Sequence, residues 1–285
     1  RYTDLMQPIQ NQFIKTAKQM GSALAVVDHN NQTYSFHKLL ASVLLVRKKL
    51  AFRIKHEHNV GLLLPTSAAG IIANLAILMT GKTIVNLNYT SNPASVANCL
   101  ITTKIKTVIT SRKFVAKLQA RGWDVSALLS DQNTIWLEDI AVFSAWNKIA
   151  TYLQAWLLPA SILSLFYCTR TKLDDVAAIL FSSGSEGHPK GIQLTHRNIV
   201  GNIKQIVTVV NPLEDDAVVN ALPLFHAFGL TVSSFLPVLE GITQICVPDP
   251  TDAQGIGKST AQHKGTILFG TATFLGLYTR NTKLL

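Results

Sequence analysis

The feature that most constrains this chain is its rhythm. Short apolar runs, Gly61 to Leu64, Thr83 to Leu87 and Thr107 to Thr110, alternate with longer stretches patterned for helix. Neighbouring parallel strands need a crossover of a dozen or more residues between them, and a helix is the usual filling. The order therefore predicts an α/β protein with mostly parallel strands. Upstream, Ala23 to Val27 and Thr33-Tyr34 flank Asp28-His29-Asn30-Asn31, which reads as a hairpin turn. Ser35 is placed to cap a helix through about Phe52, with Leu39, Leu40, Val43, Val46 and Leu50 on one face. Further helices are expected from Ala68 to Met79, ending at Gly81, and from Ala94. No internal repeat, low-complexity tract or Pro/Gly-rich linker divides the chain.

Length and composition narrow the class. The 285 residues carry 26 Lys plus Arg against 16 Asp plus Glu, a formal charge of +10, and 48% are hydrophobic. A sizeable core is affordable in one large domain or two ordinary ones. A disulfide-stapled miniprotein, a collagen-like chain and a disordered tail are excluded. The positive balance suits anionic partners: nucleotides, acidic proteins, lipid headgroups or nucleic acid. Cys99, Cys168 and Cys246 are few and dispersed, which predicts reduced thiols and no zinc-type spacing; no metal ligand set is assigned. The chain opens on Arg1-Tyr2-Thr3-Asp4 without signal-peptide order or an initiator Met, so an excised piece of a longer protein is expected.

Two stretches bear on partners. Ile149 to Thr169 is uncharged and long enough for a membrane span, but Thr151, Gln154, Pro159, Ser161 and Ser164 interrupt it. A buried core segment is the expectation, with a helix lying on the bilayer surface as the alternative that Trp156, Phe166 and Tyr167 keep open. Lys104 to Arg121 carries six Lys and Arg and no acid. A solvated face is the ordinary reading of such a run, and a docking patch for an acidic protein or membrane the functional one. Nothing resembles a nucleic-acid module, so no nucleic-acid partner is expected.

The chemistry concentrates at Val176 to Phe181 followed by Ser182-Ser183-Gly184-Ser185-Glu186-Gly187-His188-Pro189-Lys190-Gly191. An apolar strand ends in a loop of small hydroxyl residues. Glycines let backbone amides turn to a ligand, serines add donors, and Lys190 brings a charge on a mobile stem. Together they predict a polyphosphate cradle, followed by the apolar stretch Ile192-Gln193-Leu194. A helix from His196 comes next, with Ile199, Ile203, Ile206 and Val210 inward. Ala76 to Thr83 formally fits a relaxed Walker pattern, but its Ile-Leu-Met centre belongs inside a helix. Ser183 to Gly187 misses the hydrolase nucleophile elbow at its first position.

Phe181 to Gly191 resembles the phosphate-loop signature of adenylate-forming enzymes: acyl-CoA synthetases, luciferases and peptide-synthetase adenylation domains. Ala221-Leu222-Pro223-Leu224-Phe225-His226-Ala227-Phe228-Gly229-Leu230-Thr231 resembles that family's second core motif. Ser-Gly-Ser-Glu-Gly, Leu236 to Gly241 and Leu268 to Leu275 look like a narrower branch. That branch is the acyl-acyl carrier protein synthetase part of bacterial bifunctional 2-acylglycerophosphoethanolamine acyltransferases.

The resemblance implies stacked α/β subdomains of the adenylate-forming N-terminal domain. The pieces would be 1–57 plus 213–285, and 58–212. It implies activation of a fatty acid by ATP as acyl-AMP, then transfer to acyl carrier protein, feeding reacylation of lysophosphatidylethanolamine. Ser182, Ser183, Gly184, Ser185, Gly187 and Lys190 would hold phosphate, with Lys190 and His226 catalytic. ATP and Mg2+ are implied, the expected Glu ligand of the metal lying beyond this chain, as does a C-terminal lysine-bearing domain. No adenine, ribose or lysine motif of that family occurs before Leu285, so an incomplete site is expected, with the 285 residues alone unable to complete turnover. The implied location is the cytoplasm, at the inner face of the cell membrane, with peripheral contact to anionic phospholipid. A long-chain acyl-CoA synthetase, a non-catalytic membrane- or protein-binding module, and a serine hydrolase using Ser185 are the competing readings.

Overall fold

The computed structural model describes residues 6–182 and 190–280. Eleven strands form among them: β1 Leu24–Val27, β2 Thr33–Ser35, β3 Asn59–Leu63, β4 Thr83–Asn86, β5 Thr107–Thr110, β6 Asn133–Trp136, β7 Val176–Ser182, β8 Lys190–Thr195, β9 Ala217–Asn220, β10 Thr243–Cys246 and β11 Ile267–Leu268. They make two sheets, ordered β11-β9-β10-β1-β2 and β6-β5-β3-β4-β7-β8. All neighbours are parallel except the β1–β2 hairpin and the terminal β7–β8 pair. The first sheet thus takes strands from residues 24–35 and 217–268, and the second from 59–195.

The two-residue period of the strands sets the layering. Leu62, Ile84 and Ala178 from one sheet and Val26 and Val218 from the other enter a shared core with the helices Ile9–Met20, Phe36–Arg53 and Ala68–Met79 between them. The alternate residues Leu63, Val85 and Val108 point outward, under Val96, Phe114 and Leu118 of the Pro93–Thr102 and Arg112–Ala120 helices. Val27, Val219 and Ile245 are covered by Ile256 and Tyr278. The result is five layers, helix–sheet–helix–sheet–helix.

Local signals account for many boundaries. Ser35 accepts from the Lys38 N–H at 3.2 Å, Ser67 from Gly70 at 3.2 Å and Asn92 from Ser95 at 2.8 Å, each at a helix N-cap. Ala76 to Met79 lie buried inside a helix that Gly81, at φ +72°, terminates, so the Walker-like octet is a helix end. In the helix His196–Val210, Ile199 and Ile203 are buried as expected, whereas Val210 is 39% exposed in the last turn, before Asn211 turns left-handed.

The uncharged stretch departs from the core expectation. It forms two helices, Ala145–Leu157 and Ala160–Tyr167, broken at Leu158-Pro159. Only Thr151, Ala155, Leu163 and Tyr167 are buried in them. Among the described residues no helix is long and apolar enough to cross a membrane. Charge-free length signalled burial; the short amphipathic period within each helix leaves most of the apolar groups outside.

Candidate functional site

Parallel sheets gather ligands at the carboxyl ends of their strands, where loops and helix N-termini open together. A crevice of about 540 Å³ lies there, lined by Asp28, Pro65, Tyr89, Ser111, Leu137 and Pro248, each within three residues of a strand end. These strands belong to both sheets, so the crevice is where the two meet. The Asp28 carboxylate accepts from the N–H groups of Ala68, at 3.2 Å, and His29, at 3.0 Å, fixing the start of the 68–79 helix.

One wall is basic. Lys113, Lys117 and Arg121 come from the Arg112–Ala120 helix and the residue after it. Arg121 is held by Asp249 at 2.8 Å, while Arg112 turns away into a two-pronged pair with Asp139 at 2.7 and 2.8 Å. The basic run is therefore split, part solvated face and part crevice wall. Tyr89 packs edge-on against Phe114, 5.0 Å between ring centres, and against Phe225 at 4.8 Å. Its hydroxyl is buried without a hydrogen-bond partner among the described residues. Burial first, then the Asp249 carboxylate, push its phenol well above its usual pKa, so it faces the crevice as a neutral donor.

The residues read as phosphate-binding sit on the neighbouring strand pair. β7 lies beside β4, with Ile84 opposite Ala178, and Ser182 and Lys190 face each other as the last register pair of β7 and β8. Both are exposed. Gly191 stands opposite Phe181, where a Cβ would come within 3.3 Å of that ring. Ser183, Gly184, Ser185 and Gly187 lie outside the described residues.

The second motif is a packed wall. Leu222, Leu224 and Phe225 are at most 3% exposed, and the Thr66 hydroxyl donates to the Leu222 carbonyl at 2.7 Å, tying the motif to the segment after β3. A Cβ on Gly229 would fall 2.0 Å from the Pro223 oxygen, so only glycine lets the chain fold back here into the wide helical turns of Gly229–Phe235. His226 stands at the crest, exposed, with its ring centre 4.5 Å from that of Phe225. Partial desolvation holds its imidazole below the ordinary value, so it acts as a neutral group at pH 7. Tyr89 thus links the second motif, through Phe225, to the basic helix, through Phe114. Sequence reading overlooked Tyr89, Asp28 and Asp249; their common signal is position just past a strand, where a crevice must open.

Among the described residues no three His, Cys, Asp or Glu side chains converge on a metal site. The thiols are poor nucleophiles: burial pushes those of Cys99 and Cys168 up to about 12.

Two α/β sheets meet over a strand-end crevice, which Tyr89 joins to the second motif through Phe225. Residues 13–284 match the AMP-binding enzyme family, and the chain belongs to it. A long-chain-fatty-acid–CoA ligase of Yersinia pestis is 25% identical over 311 residues, covering 99% of this chain and 53% of the ligase. The corresponding ligase of Escherichia coli O6:H1 is 32% identical over 111 residues, 38% of this chain and 20% of that protein. The chain therefore spans about half the length of the Yersinia relative. Among solved structures, o-succinylbenzoate coenzyme A synthetase (MenE) from Bacillus subtilis in complex with ATP and magnesium ion superposes with a TM-score of 0.73. It is 20% identical over 95% of this chain and 65% of that one, and the shared feature is the fold.

Proposed function

We propose that the protein activates a fatty acid with ATP and passes the acyl group to the phosphopantetheine thiol of acyl carrier protein, feeding reacylation of lysophosphatidylethanolamine. The observation that carries the first half is the pairing of Ser182 with Lys190 at the carboxyl end of β7, flanking the serine-glycine loop. A carboxylate oxygen attacks the α-phosphorus of ATP; the bond to the β-phosphate oxygen breaks and pyrophosphate leaves with the electron pair. Negative charge grows on the leaving group, and a cation with loop donors aimed there lowers the barrier. Lys190 supplies the cation, and Ser182, Ser183, Ser185 and the amides of Gly184 and Gly187 the donors. His226, neutral at the crest of the second motif, donates a hydrogen bond to the reacting phosphate or carboxylate. ATP with Mg2+ is the expected co-substrate. Residues 1–57 plus 213–285 and 58–212 form the two subdomains of this reading, and their strand membership in separate sheets supports the division.

The acceptor's phosphate-bearing arm suits the wall of Lys113 and Lys117, which among the described residues have no carboxylate partner. Coenzyme A carries the same arm, and the relatives named as CoA ligases favour it as a second reading. Peripheral contact with anionic phospholipid at the inner face of the cell membrane belongs to the same proposal.

Fatty-acid-dependent exchange of pyrophosphate into ATP by the full-length protein tests the adenylation half. Lys190→Ala is expected to slow exchange by about 10- to 1000-fold without changing thermal stability. Absence of exchange with every fatty acid overturns the reading; an unchanged rate removes Lys190. Acyl transfer to purified carrier protein and to coenzyme A, side by side, decides the acceptor.

A further inference from the structure

The helices Ala145–Leu157 and Ala160–Tyr167 present more apolar surface than packing accounts for. On the first, Thr151 and Ala155 face inward at a spacing of four, while Ile149, Tyr152, Leu153 and Trp156 fall on the opposite face at spacings of three, four and seven. On the second, Ile162, Leu165 and Phe166 face outward. Trp146 is 81% exposed, Leu165 79% and Phe166 69%. Scattered exposed hydrophobes are ordinary, but nine large ones on a single helical pair mark an interaction surface.

Charge on the patch and on the two helices beneath it has one sign. No acidic residue occurs from Ile140 to Leu173. The helices that support the pair, Ile9–Met20 and Phe36–Arg53, also lack acids, and these four helices together carry eight lysines and arginines. Two of them bind the platform directly: Lys18 donates to the Ala155 carbonyl at 2.9 Å, and Lys48 donates to the Thr151 hydroxyl at 2.8 Å beneath the Tyr167 ring. The pair is thus a fixed element with its aromatic side outward.

Each flank opens on a recess. Beside Ser161, Ser164 and Leu165 lies one of about 780 Å³ that Lys15 and Arg170 also line, mixing hydroxyls and cations next to an exposed leucine. Beside Ile149 and Leu153 lies another, of about 680 Å³, walled by Leu45, Ile72 and Phe143 with Lys38 and Lys148 on its lining. The second shares Gln32, Ala69, Leu137 and Ala141 with the strand-end crevice.

We propose that the 145–167 helical pair is a platform that docks the protein on an anionic bilayer, with Trp146, Trp156, Leu165 and Phe166 entering the boundary between headgroups and acyl chains. Aromatic side chains favour that depth, and a cationic surround meets the negative surface of the leaflet. A phospholipid phosphate fits the recess with Lys15 and Arg170, and one acyl chain fits the apolar recess that adjoins the crevice. The proposal deepens the fatty-acid reading above and rests on it for the choice of a lipid surface over an acidic protein.

Co-sedimentation of the full-length protein with vesicles of phosphatidylglycerol and phosphatidylethanolamine, against pure phosphatidylcholine, tests it. Binding is expected on the anionic vesicles, weakening with salt, with tryptophan fluorescence quenched by lipids brominated on the acyl chain. The triple variant Trp156→Ser, Leu165→Ser, Phe166→Ser is expected to weaken vesicle binding at least about tenfold. Its unfolding midpoint, and its pyrophosphate exchange with a short, soluble fatty acid, should match those of the unaltered protein. Lys148→Glu with Arg170→Glu is expected to reduce binding and its salt dependence. The proposal is overturned by absence of vesicle binding, by binding that the triple variant leaves unchanged, or by a triple variant that loses only acyl carrier protein. Exchange without vesicle binding rejects the platform alone; vesicle binding without exchange rejects the ligase reading alone.

Discussion

The two motifs that stand out in the sequence are built in opposite ways. The second, Ala221 to Thr231, is a wall: its leucines and Phe225 are buried, and its fold-back at Gly229 is fixed by a carbonyl against which no side chain fits. The flanks of the first, Ser182 and Lys190, stand exposed at the end of the terminal strand pair. The contrast teaches that motif strength in a sequence does not report mechanical role. A wall holds its shape through packing, whereas an exposed tip leaves the core nearly indifferent to its loss.

Substitutions should separate the two. The largest expected effect on folding is Phe225→Ala, about 3–5 kcal/mol lost in urea unfolding, since it empties a buried site and removes one partner of Tyr89. A loss below about 1 kcal/mol breaks the description of a wall.

A second test lies only a few residues past the tip. His196 is 2% exposed, its Nδ1 accepts the Ile9 N–H at 3.2 Å, and burial pushes its pKa from 6.5 down to about 4. The folded state holds the ring neutral while the unfolded chain takes up a proton near 6.5. Stability is therefore complete above about pH 6.5 and falls as pH drops toward 4, by about 3 kcal/mol. Unfolding at pH 7 and pH 4 should show the loss, and His196→Asn should flatten it.

Gly229→Ala comes next, at about 2–3 kcal/mol, because the methyl group meets backbone that cannot swing aside. Adenylation should fall with it. Smallest is Ser182→Ala, within about 0.5 kcal/mol in stability while pyrophosphate exchange slows. A large stability loss there would merge the tip into the core and erase the contrast.

Much of this architecture was legible because local chemistry and tertiary packing agree. Ser35 caps its helix where its side chain reaches the third N–H, and continuous apolar runs such as Val108-Ile109 became strands covered on both faces. The crevice was harder to see. Tyr89, Asp28 and Asp249 are ordinary residues in ordinary turns until two sheets bring them together. The wide turns of Gly229–Phe235 carry no compositional mark either. The 149–169 stretch misled because absence of charge measures hydrophobicity, and only the helical period, broken at Pro159, tells which side is covered.

The pairing of β1 with β10 has a consequence for how the chain is made. Val26 and Val27 find their parallel partners at Gln244 and Ile245, about 200 residues later. At about 5–20 residues per second, a ribosome needs roughly 10–40 s to deliver that partner. The six-stranded sheet, contained within residues 59–195, emerges whole in the interval. The nascent β1–β2 hairpin must therefore wait with an unpaired apolar edge, which makes that hairpin a segment exposed to mispairing until β10 arrives.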